Sequence, residues 1–363
     1  MYYYQIADLI FQSKFKLSSF ADFICEQKKE AEVSLVETNE LPPSGEDRNA
    51  GMITIRRIKG GWFYHSSYIQ HAGLYVNDDY TELKLLGKDH SIVTGMEEWF
   101  VRVALECRLA QLGYVSLHSA AVEVAGGAYA FTGPSGVGKS TRAAAWLEAF
   151  STKLINGDRP LVDVHNLIIH GVPWDGKEQC FRNVHYPLKS ICEVRRSDSV
   201  YIRNMSFEQR RKLLIRQCFI PMWDTETAAI QVLNISRLAA RAEIVRVFCG
   251  PTNEDARALY RALQEHQYLK EESDMRAKPG FVLRNVVDEY ILMPTGDNIG
   301  HFKGTVLLNE VSAFVWGKLE NPISREDLLK AILDRFEVEK AVASADLDAL
   351  LDTLRSLGVI EED

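Results

Sequence analysis

The 363-residue sequence predicts a mixed α/β (α+β) protein made of three regions. Residues 1–95 contain short alternating apolar runs, which are typical of β-strands. Residues 96–270 contain a glycine-rich phosphate-binding motif between a strand-like and a helix-like run. Residues 278–363 contain three predicted short strands followed by three predicted helices. These patterns indicate a nucleotide-binding core, a β-rich N-terminal region and a small winged-helix-like C-terminal domain.

Composition and charge exclude several classes of protein. Hydrophobic residues make up 46% and charged residues 25% of the chain, which is usual for a globular protein. The net charge of -8 argues against nucleic-acid binding, since such domains usually carry a basic surface. The N-terminus has no signal-peptide pattern, and no apolar run approaches the roughly 18 residues that a membrane span needs. The six cysteines are scattered without metal-binding spacing, which favours reduced thiols in a cytoplasmic protein.

The first region is predicted from three strand-like runs, Met52–Arg56, Gly73–Val76 and Thr81–Leu86. Residues 41–47 have the composition of an exposed loop. No motif that carries chemistry lies in this region, so we expect a structural or substrate-shaping role for it.

The central region is organised around a full G-x-x-x-x-G-K-[ST] motif at residues 133–140, with a strand-like run before it and a helix-like run after it. Glycines let the backbone curl so that N–H groups face a phosphate, and the positive end of the following helix strengthens that field. Lys139 is expected to reach the β- and γ-phosphates, and the Ser140 hydroxyl to bind Mg²⁺. The alternative is a glycine-rich turn without a ligand. The residues predicted to hold a nucleoside triphosphate are Gly133, Ser135, Gly136, Val137, Gly138, Lys139, Ser140 and Thr141.

A β-hairpin is predicted directly before this motif. A helix over Glu97–Leu112, ended by Gly113, is followed by two strand-like runs on either side of Gly126-Gly127. With these glycines as the turn, Ala125 pairs with Ala128. Extending that register brings His118 beside Ser135, which makes His118 a candidate catalytic residue. A structural histidine is the alternative.

Asp158 is the second candidate catalytic residue and a candidate Mg²⁺ ligand, because it ends the short strand-like run 153–158. Phosphoryl-transfer proteins hold Mg²⁺ or orient the nucleophile with an acid at such a position. Asp163 is the other acid that could fill this role, but it lies inside the next predicted strand. The alternative for Asp158 is a structural aspartate in a turn. In the Gly- and Pro-containing loop 171–178, Trp174 or Lys177 could touch nucleotide or substrate, or the loop could be a solvated turn.

Downstream of this loop, the pattern predicts alternating helices and strands with structural roles. Ser206–Gln217 and Asn253–Gln264 are predicted helices, and Ala228–Leu233 and Ile244–Phe248 are predicted strands.

Residues 92–268 resemble the HPr kinase/phosphorylase family, whose fold is shared with phosphoenolpyruvate carboxykinase. The matching features are Leu117-His118-Ser119, the hairpin, the 133–140 motif and Asp158-Arg159. The loop 171–177 is similar to that of HPr-kinase-related proteins found with peptide-modification systems. The resemblance implies phosphorylation of a hydroxyl on a protein or peptide with ATP and Mg²⁺. Because relatives assemble as hexamers, a homo-oligomer is an open expectation.

Two departures from that family bear on the reaction. The chain has Gly157-Asp158 where the family usually has two acids, so the general base stays open between His118 and Asp158. Thr141 stands where the HPr-specific enzymes tend to have an acid. Both departures argue against HPr itself as the substrate.

In the C-terminal region, Phe281–Val286, Glu289–Met293 and Thr305–Leu308 are the predicted strands. Asn309 and Ser324 are predicted to cap two helices, and Ser344 to precede a third. The pattern from Val306 to Trp316 resembles the PqqD family. The resemblance implies capture of a precursor peptide's leader as an added strand, along Thr305, Val306, Leu307 and Leu308 and the third helix. A winged-helix DNA binder or a dimerisation module are the alternatives, and the acidic helices disfavour DNA.

The two resemblances together suggest an ATP-dependent kinase for a Ser or Thr hydroxyl of a ribosomally synthesised precursor peptide. Its partner is the peptide, without nucleic acid or membrane. One alternative is an ATP-hydrolysing chaperone or scaffold that loads the precursor onto a separate modifying enzyme. Another is a regulatory kinase of a carrier protein such as HPr, against which the C-terminal region argues.

Overall fold

The structure is a computed structural model that describes residues 1–26, 30–50, 53–66, 72–87, 95–174, 176, 180, 182–272, 275–286, 289–296, 298 and 305–362. The chain divides into two compact units, Met1–Leu259 and Tyr260–Asp363. Sheets and helices occur in both units, so the predicted mixed α/β class is confirmed.

An eight-stranded sheet occupies the N-terminal part of the first unit, in the order β1-β2-β3-β8-β7-β6-β5-β4. Strand β3 pairs in parallel with β2 and β8, and the other neighbours are antiparallel. Helix α1, Gly95–Gln111, shares one buried core with this sheet. The strands are Tyr2–Ile6 (β1), Leu9–Ser13 (β2), Val33–Thr38 (β3), Asp47–Ala50 (β4), Ile53–Ile58 (β5), Gly61–His65 (β6), Gly73–Asn77 (β7) and Glu82–Leu86 (β8).

A nine-stranded sheet forms the rest of the first unit. The chain of neighbours runs β12-β10-β11-β15-β14-β13-β9, and β15 also pairs with β17, which pairs with β16. Only the β11–β15 and β15–β17 pairs within this sheet are parallel among the described strands. The strands are Tyr114–Ser116 (β9), Ser119–Val124 (β10), Gly127–Thr132 (β11), Leu154–Asn156 (β12), Leu161–Asp163 (β13), Ile168–His170 (β14), His185–Arg196 (β15), Tyr201–Asn204 (β16) and Ile244–Cys249 (β17).

Helices cover both faces of this sheet. Successive side chains of a strand point to opposite faces, so neighbouring residues of β11 contact different helices. Helix α2, Lys139–Phe150, packs the Trp146 ring against Tyr129 and Phe131 of β11, with centroids 5.0 and 5.1 Å apart. Ala128 and Ala130, which alternate with Tyr129 and Phe131 along β11, belong to a second buried cluster with residues of two other helices. Those helices are α3 (Phe207–Gln217) and α4 (Thr225–Arg241), and α5 (Asn253–Glu272) follows.

Helix α4 corrects a prediction, since Ala228–Leu233 was expected to be a strand. The helix begins after Asp224, whose carboxylate accepts N–H bonds from the first turn. Its buried face includes Gln231 and Asn234, whose amides donate to the carbonyls of Phe219 and Ala110. Because these polar residues occupy the buried face, the apolar pattern of the sequence did not show the helical period.

The second unit holds the C-terminal part of α5, a three-stranded antiparallel sheet, β19-β20-β21, a two-stranded sheet, β18-β22, and the helices α6, α7 and α8. Asn309 and Ser324 cap α6 and α7 as predicted. Helix α8 begins at Lys340, so the expected start after Ser344 was wrong by one turn. The elements are Met275–Ala277 (β18), Phe281–Val286 (β19), Glu289–Pro294 (β20), Val306–Leu308 (β21), Glu310–Lys318 (α6), Arg325–Arg335 (α7), Lys340–Ser356 (α8) and Ile360–Glu362 (β22). Within the described part of the chain, no helix is long and apolar enough to cross a membrane.

Candidate functional site

The β10–β11 hairpin leads into the glycine-rich motif, and its turn differs from the predicted one. The turn residues are Ala125 and Gly126, with φ of 52° and 77°, rather than Gly126 and Gly127. The Glu123 carboxylate accepts the Gly126 N–H at 2.7 Å, which holds this turn. Positive φ at both positions is the geometry of a type I′ hairpin turn. The strand pairing therefore shifts, with Ser119 opposite Thr132.

This register also moves His118. Continuing the pairing by one residue sets His118 opposite Gly133, the first residue of the motif, rather than near Ser135. The Thr132 hydroxyl donates to the His118 carbonyl at 2.9 Å, and the His118 N–H donates to the Gln217 carbonyl at 2.8 Å. The prediction that this histidine lies beside the motif holds, although its predicted neighbour was wrong.

The loop 133–138 has the backbone that the motif requires. Gly133, Gly136 and Gly138 have φ of 140°, 75° and 104°, values that favour glycine. Gly138 is the N-cap of α2, and no side chain caps this helix end. The first-turn N–H groups and the positive end of the helix dipole are therefore available to an anion.

The side chains of the motif lie at the surface or reach back into the loop. Ser135, Ser140 and Thr141 are exposed. The Lys139 ammonium donates to the carbonyls of Gly133 at 3.1 Å and Pro134 at 3.5 Å. Burial lowers the pKa of Lys139, and the nearby Asp158 carboxylate opposes that change. The loop thus carries a partly desolvated cation at its centre.

Asp158 lies in the turn after β12, and a buried asparagine orders that turn. The Asn156 side-chain oxygen accepts the N–H groups of Asp158 at 3.0 Å and Arg159 at 2.7 Å. Its amide nitrogen donates to the Trp174 carbonyl at 2.9 Å. The Asp158 carbonyl accepts the Ser119 N–H at 2.9 Å, which ties this turn to the start of β10.

This arrangement brings the two candidate catalytic side chains together. The His118 Nε2 atom is 3.6 Å from an Asp158 carboxylate oxygen, beyond hydrogen-bond distance but close enough for a charge interaction. Burial lowers the pKa of His118, the positive charges of Lys139 and Arg159 lower it further, and Asp158 raises it. A lowered pKa keeps the imidazole neutral at neutral pH, so it can accept a proton.

The sequence did not assign roles to two further cations at this site. The charge of Arg159 acts on both Lys139 and His118. Arg196, the last residue of β15, donates to the carbonyls of Gly136 at 2.7 Å and Val137 at 3.5 Å. The position of Arg159 after Asp158 was a usable signal. No local signal marks Arg196, because only the strand pairing brings it to the loop.

Two other candidates, Trp174 and Asp163, have structural surroundings. Trp174 is 5% exposed in the core shared with α1, and Arg102 lies over its ring at 5.7 Å. The Asp163 carboxylate accepts bonds from the turn at His165 and Asn166, which gives it a structural role. Lys177 lies outside the described residues. Among the residues that the structure covers, no group of three or more His, Cys, Asp or Glu could hold a metal ion.

A second candidate site lies in the second unit, beside β21. This strand pairs with β20 through Leu307 and Ile291, and no strand pairs with its other edge among the described residues. Leu307 is 65% exposed, Thr305 is exposed, Val306 is half-buried and Leu308 is buried. The predicted peptide-binding residues therefore form an open sheet edge with an apolar side chain in solvent.

A pocket of about 430 Å³ lies among the three helices of this unit, next to the residue that follows β21. Its walls are mostly apolar, and Asp346 is the one ionisable residue among them. The lining residues are Asn309, Val311, Ser312, Val315, Ile332, Phe336, Val338, Ala343, Asp346, Leu347, Ala349, Leu350 and Thr353. Apolar walls with a few polar groups are typical of a ligand pocket.

Residues 289–360 match the family of coenzyme PQQ synthesis protein D, PqqD. This part of the chain is a PqqD domain. The match spans β20, β21, the three helices and the start of β22, and thus the open edge and the pocket.

Solved structures similar to about a quarter of the chain include two peptide complexes. One is TbiB1 in complex with the TbiA(beta) leader peptide, with 21% identity, a TM-score of 0.21 and coverage of 24% of this chain and 94% of that one. The other is lasso peptide synthetase B1 complexed with the leader peptide, with 22% identity, a TM-score of 0.21 and coverage of 24% and 96%. No curated protein matches the chain.

Proposed function

We propose that this protein is an ATP-dependent kinase that phosphorylates a Ser or Thr hydroxyl of a ribosomally synthesised precursor peptide, recruited by its leader through the PqqD domain. The observation that carries the proposal is the meeting of Lys139, His118 and Asp158 at an open phosphate-binding loop. A chain with this site and a PqqD domain would combine a reaction centre with a means of holding a peptide.

The loop fits a nucleoside triphosphate. Its three glycines have positive φ, the α2 N-terminus has no side-chain cap, and a Cβ added at Gly136 would meet nothing within 4 Å. The loop amides and Lys139 would hold the β- and γ-phosphates. Mg²⁺ would be held by the phosphates together with the Ser140 hydroxyl and Asp158, and it would neutralise charge on the transferred phosphoryl group.

His118 fits the role of the general base. Its lowered pKa favours the neutral imidazole, which accepts the proton of the attacking hydroxyl. The imidazolium that forms is stabilised by the Asp158 carboxylate at 3.6 Å. Asp158 therefore acts on the metal or on the histidine, and Lys139 acts on the phosphates.

The PqqD domain fits the recruitment of a leader peptide. An extended peptide can add a strand to the open edge of β21, and an apolar side chain of that peptide can enter the adjoining pocket. Binding by the leader raises the effective concentration of the peptide's modifiable part at the kinase site. The catalytic cleft then needs little affinity of its own for the peptide.

A second candidate function is an ATP-hydrolysing chaperone or scaffold that loads the precursor peptide onto another modifying enzyme. Gly157 supports it, because the related kinases usually have a second acid there. Both functions need the phosphate loop and the PqqD domain, but only the kinase transfers a phosphate to the peptide.

The deciding experiment is intact-mass spectrometry of a precursor peptide encoded beside this gene, after incubation with the protein, ATP and Mg²⁺. The kinase predicts a mass gain of one phosphate that disappears with Lys139→Ala. Arg203→Ala, a surface charge change away from the loop, is the matched control and should leave the gain intact. Unchanged peptide with ATP consumed would refute the kinase and support the loading function.

A further inference from the structure

Strand β15 extends past the strand that enters the phosphate loop. Its partner β11 ends at Thr132, which pairs with Glu193 in parallel register. Strand β15 continues for three more residues, to Arg196, still paired with β17. The end of β15 therefore runs alongside the loop 133–138, and a Cβ added at Gly133 would lie 3.7 Å from the Val194 carbonyl oxygen.

The alternation of side chains gives the last two arginines of β15 opposite surroundings. Phe131 contacts Trp146 of α2 and pairs with Cys192, so Cys192, Val194 and Arg196 share the α2 face of the sheet. Arg195 lies on the other face, where it donates to the Glu193 carboxylate at 2.6 Å. The adjacent residues Arg195 and Arg196 thus carry the same charge on opposite faces of the sheet, and only Arg196 contacts the loop.

Arg196 contacts the loop only through main-chain carbonyls. Its guanidinium donates to the Gly136 oxygen at 2.7 Å and to the Val137 oxygen at 3.5 Å. In a trans peptide unit the C=O and the N–H point in opposite directions. Holding these two carbonyls toward β15 therefore turns the N–H groups of the same peptide units, those of Val137 and Gly138, away from the strand. The Val137 N–H donates to the Pro134 carbonyl at 3.3 Å, which leaves the Gly138 N–H for a phosphate.

Flexible glycines need such a restraint. Gly136 and Gly138 flank the two restrained peptide units, and a glycine backbone populates both signs of φ with little preference. Without an outside contact, the peptide units between them could turn their N–H groups away from a phosphate. A guanidinium with donors in a fixed planar arrangement suits two neighbouring carbonyls better than a single ammonium does.

We propose that Arg196 is a positioning residue that sets the peptide orientation of the phosphate loop before nucleotide binds, so that the Gly138 N–H is available to the phosphates. This inference rests on the proposed function, since it assumes that the loop binds a nucleoside triphosphate. Arg196 would act through the loop, whereas Lys139 would contact the phosphates themselves.

The test compares Arg196→Ala with Arg195→Ala, which removes the same charge one residue away on the opposite face, and with Arg196→Lys. Two quantities are measured in the full chain: the dissociation constant of Mg·ATP by calorimetry, and the amide signals of Gly136 and Gly138 by glycine-labelled NMR without nucleotide. Arg196→Ala should weaken Mg·ATP binding by about tenfold, the effect of losing one charge-assisted hydrogen bond at the surface. It should also shift both glycine signals.

Arg195→Ala should keep the affinity within about twofold and leave the loop signals in place, since its partner is Glu193. Arg196→Lys should fall between wild type and Arg196→Ala, because one donor replaces the planar pair. Unchanged affinity in Arg196→Ala would overturn the inference. Reduced affinity with unmoved glycine signals would overturn it too, because Arg196 would then contact the phosphates directly. If the wild-type protein bound no Mg·ATP, the proposed function would fail, and the glycine signals would still test the orienting contact.

Discussion

Gly136 and Gly138, the two inner glycines of the loop 133–138, should differ sharply in their tolerance of alanine. Both have positive φ, which costs an L-residue about 1–2 kcal/mol. A Cβ on Gly136 would meet nothing within 4 Å, whereas a Cβ on Gly138 would lie 2.4 Å from an Arg142 Nη atom. Gly138→Ala must therefore displace a guanidinium, and Gly136→Ala must not.

The displaced group is costly because Arg142 is buried. It is 5% exposed and donates to the Cys249 carbonyl at 2.7 Å, a bond that ties α2 to the end of β17. Losing a hydrogen bond from a charged group costs about 1.5–3 kcal/mol. Gly136→Ala should lower the free energy of unfolding by about 1 kcal/mol, because a lower entropy of the unfolded chain offsets part of the strain. Gly138→Ala should lower it by about 3–4 kcal/mol in total.

Urea unfolding followed by tryptophan fluorescence measures this difference. Of the six tryptophans only Trp316 lies outside residues 1–259, so the signal reports mainly on the unit that contains the loop. A Trp316→Phe background removes the remaining contribution. If Gly136→Ala and Gly138→Ala lowered the free energy of unfolding equally, at equal slopes of free energy against urea, the predicted cost of displacing Arg142 would be refuted. Backbone strain alone would then explain both changes.

The remaining predictions concern the two candidate sites. Arg159→Gln removes a charge that lowers the pKa of His118, so that pKa should rise, and the acid limb of the kcat/KM profile should move to higher pH. An unmoved limb would refute His118 as the base. Asp158→Asn should reduce peptide phosphorylation by about 10²–10⁴-fold while calorimetry shows nearly unchanged ATP affinity, and full turnover would refute its role. Leu350→Asp in the pocket should weaken leader-peptide binding, measured by fluorescence polarisation, at least about tenfold. Val342→Asp, on the same helix but 48% exposed and not among the pocket residues, should have little effect, and equal effects would refute the pocket as the binding surface.

Local patterns in the sequence predicted the elements whose cause is local. The glycine motif lies between a strand and a helix, as its spacing requires, and Asn309 and Ser324 cap their helices. The helix predicted over Ser206–Gln217 is α3, and the structure shows that Ser206 caps it in a capping box with Gln209. The PqqD pattern was readable for the same reason, since its strands and helices follow one another within about 70 residues.

The errors arose where side-chain contacts, local in the hairpin turn and long-range elsewhere, decide the outcome. The hairpin turn moved by one residue because the Glu123 side chain holds the Gly126 N–H. Helix α4 was mistaken for a strand because its buried face carries amides that donate to α1 and to the loop at Phe219. Trp174 looked like a ligand contact because its loop is rich in glycine and proline, but it is buried against the core.

The sequence by itself therefore determined the mixed α/β class, the phosphate-loop motif, its flanking elements and the C-terminal PqqD pattern. These depend on turn chemistry, capping and periodicity within a few residues. Only the tertiary structure decided that Ser119, the residue after His118, pairs with Thr132, that the His118 Nε2 atom lies 3.6 Å from Asp158 and that Arg196 reaches the loop. Each of these depends on strand register, which joins residues far apart in the chain and is set by the whole sheet.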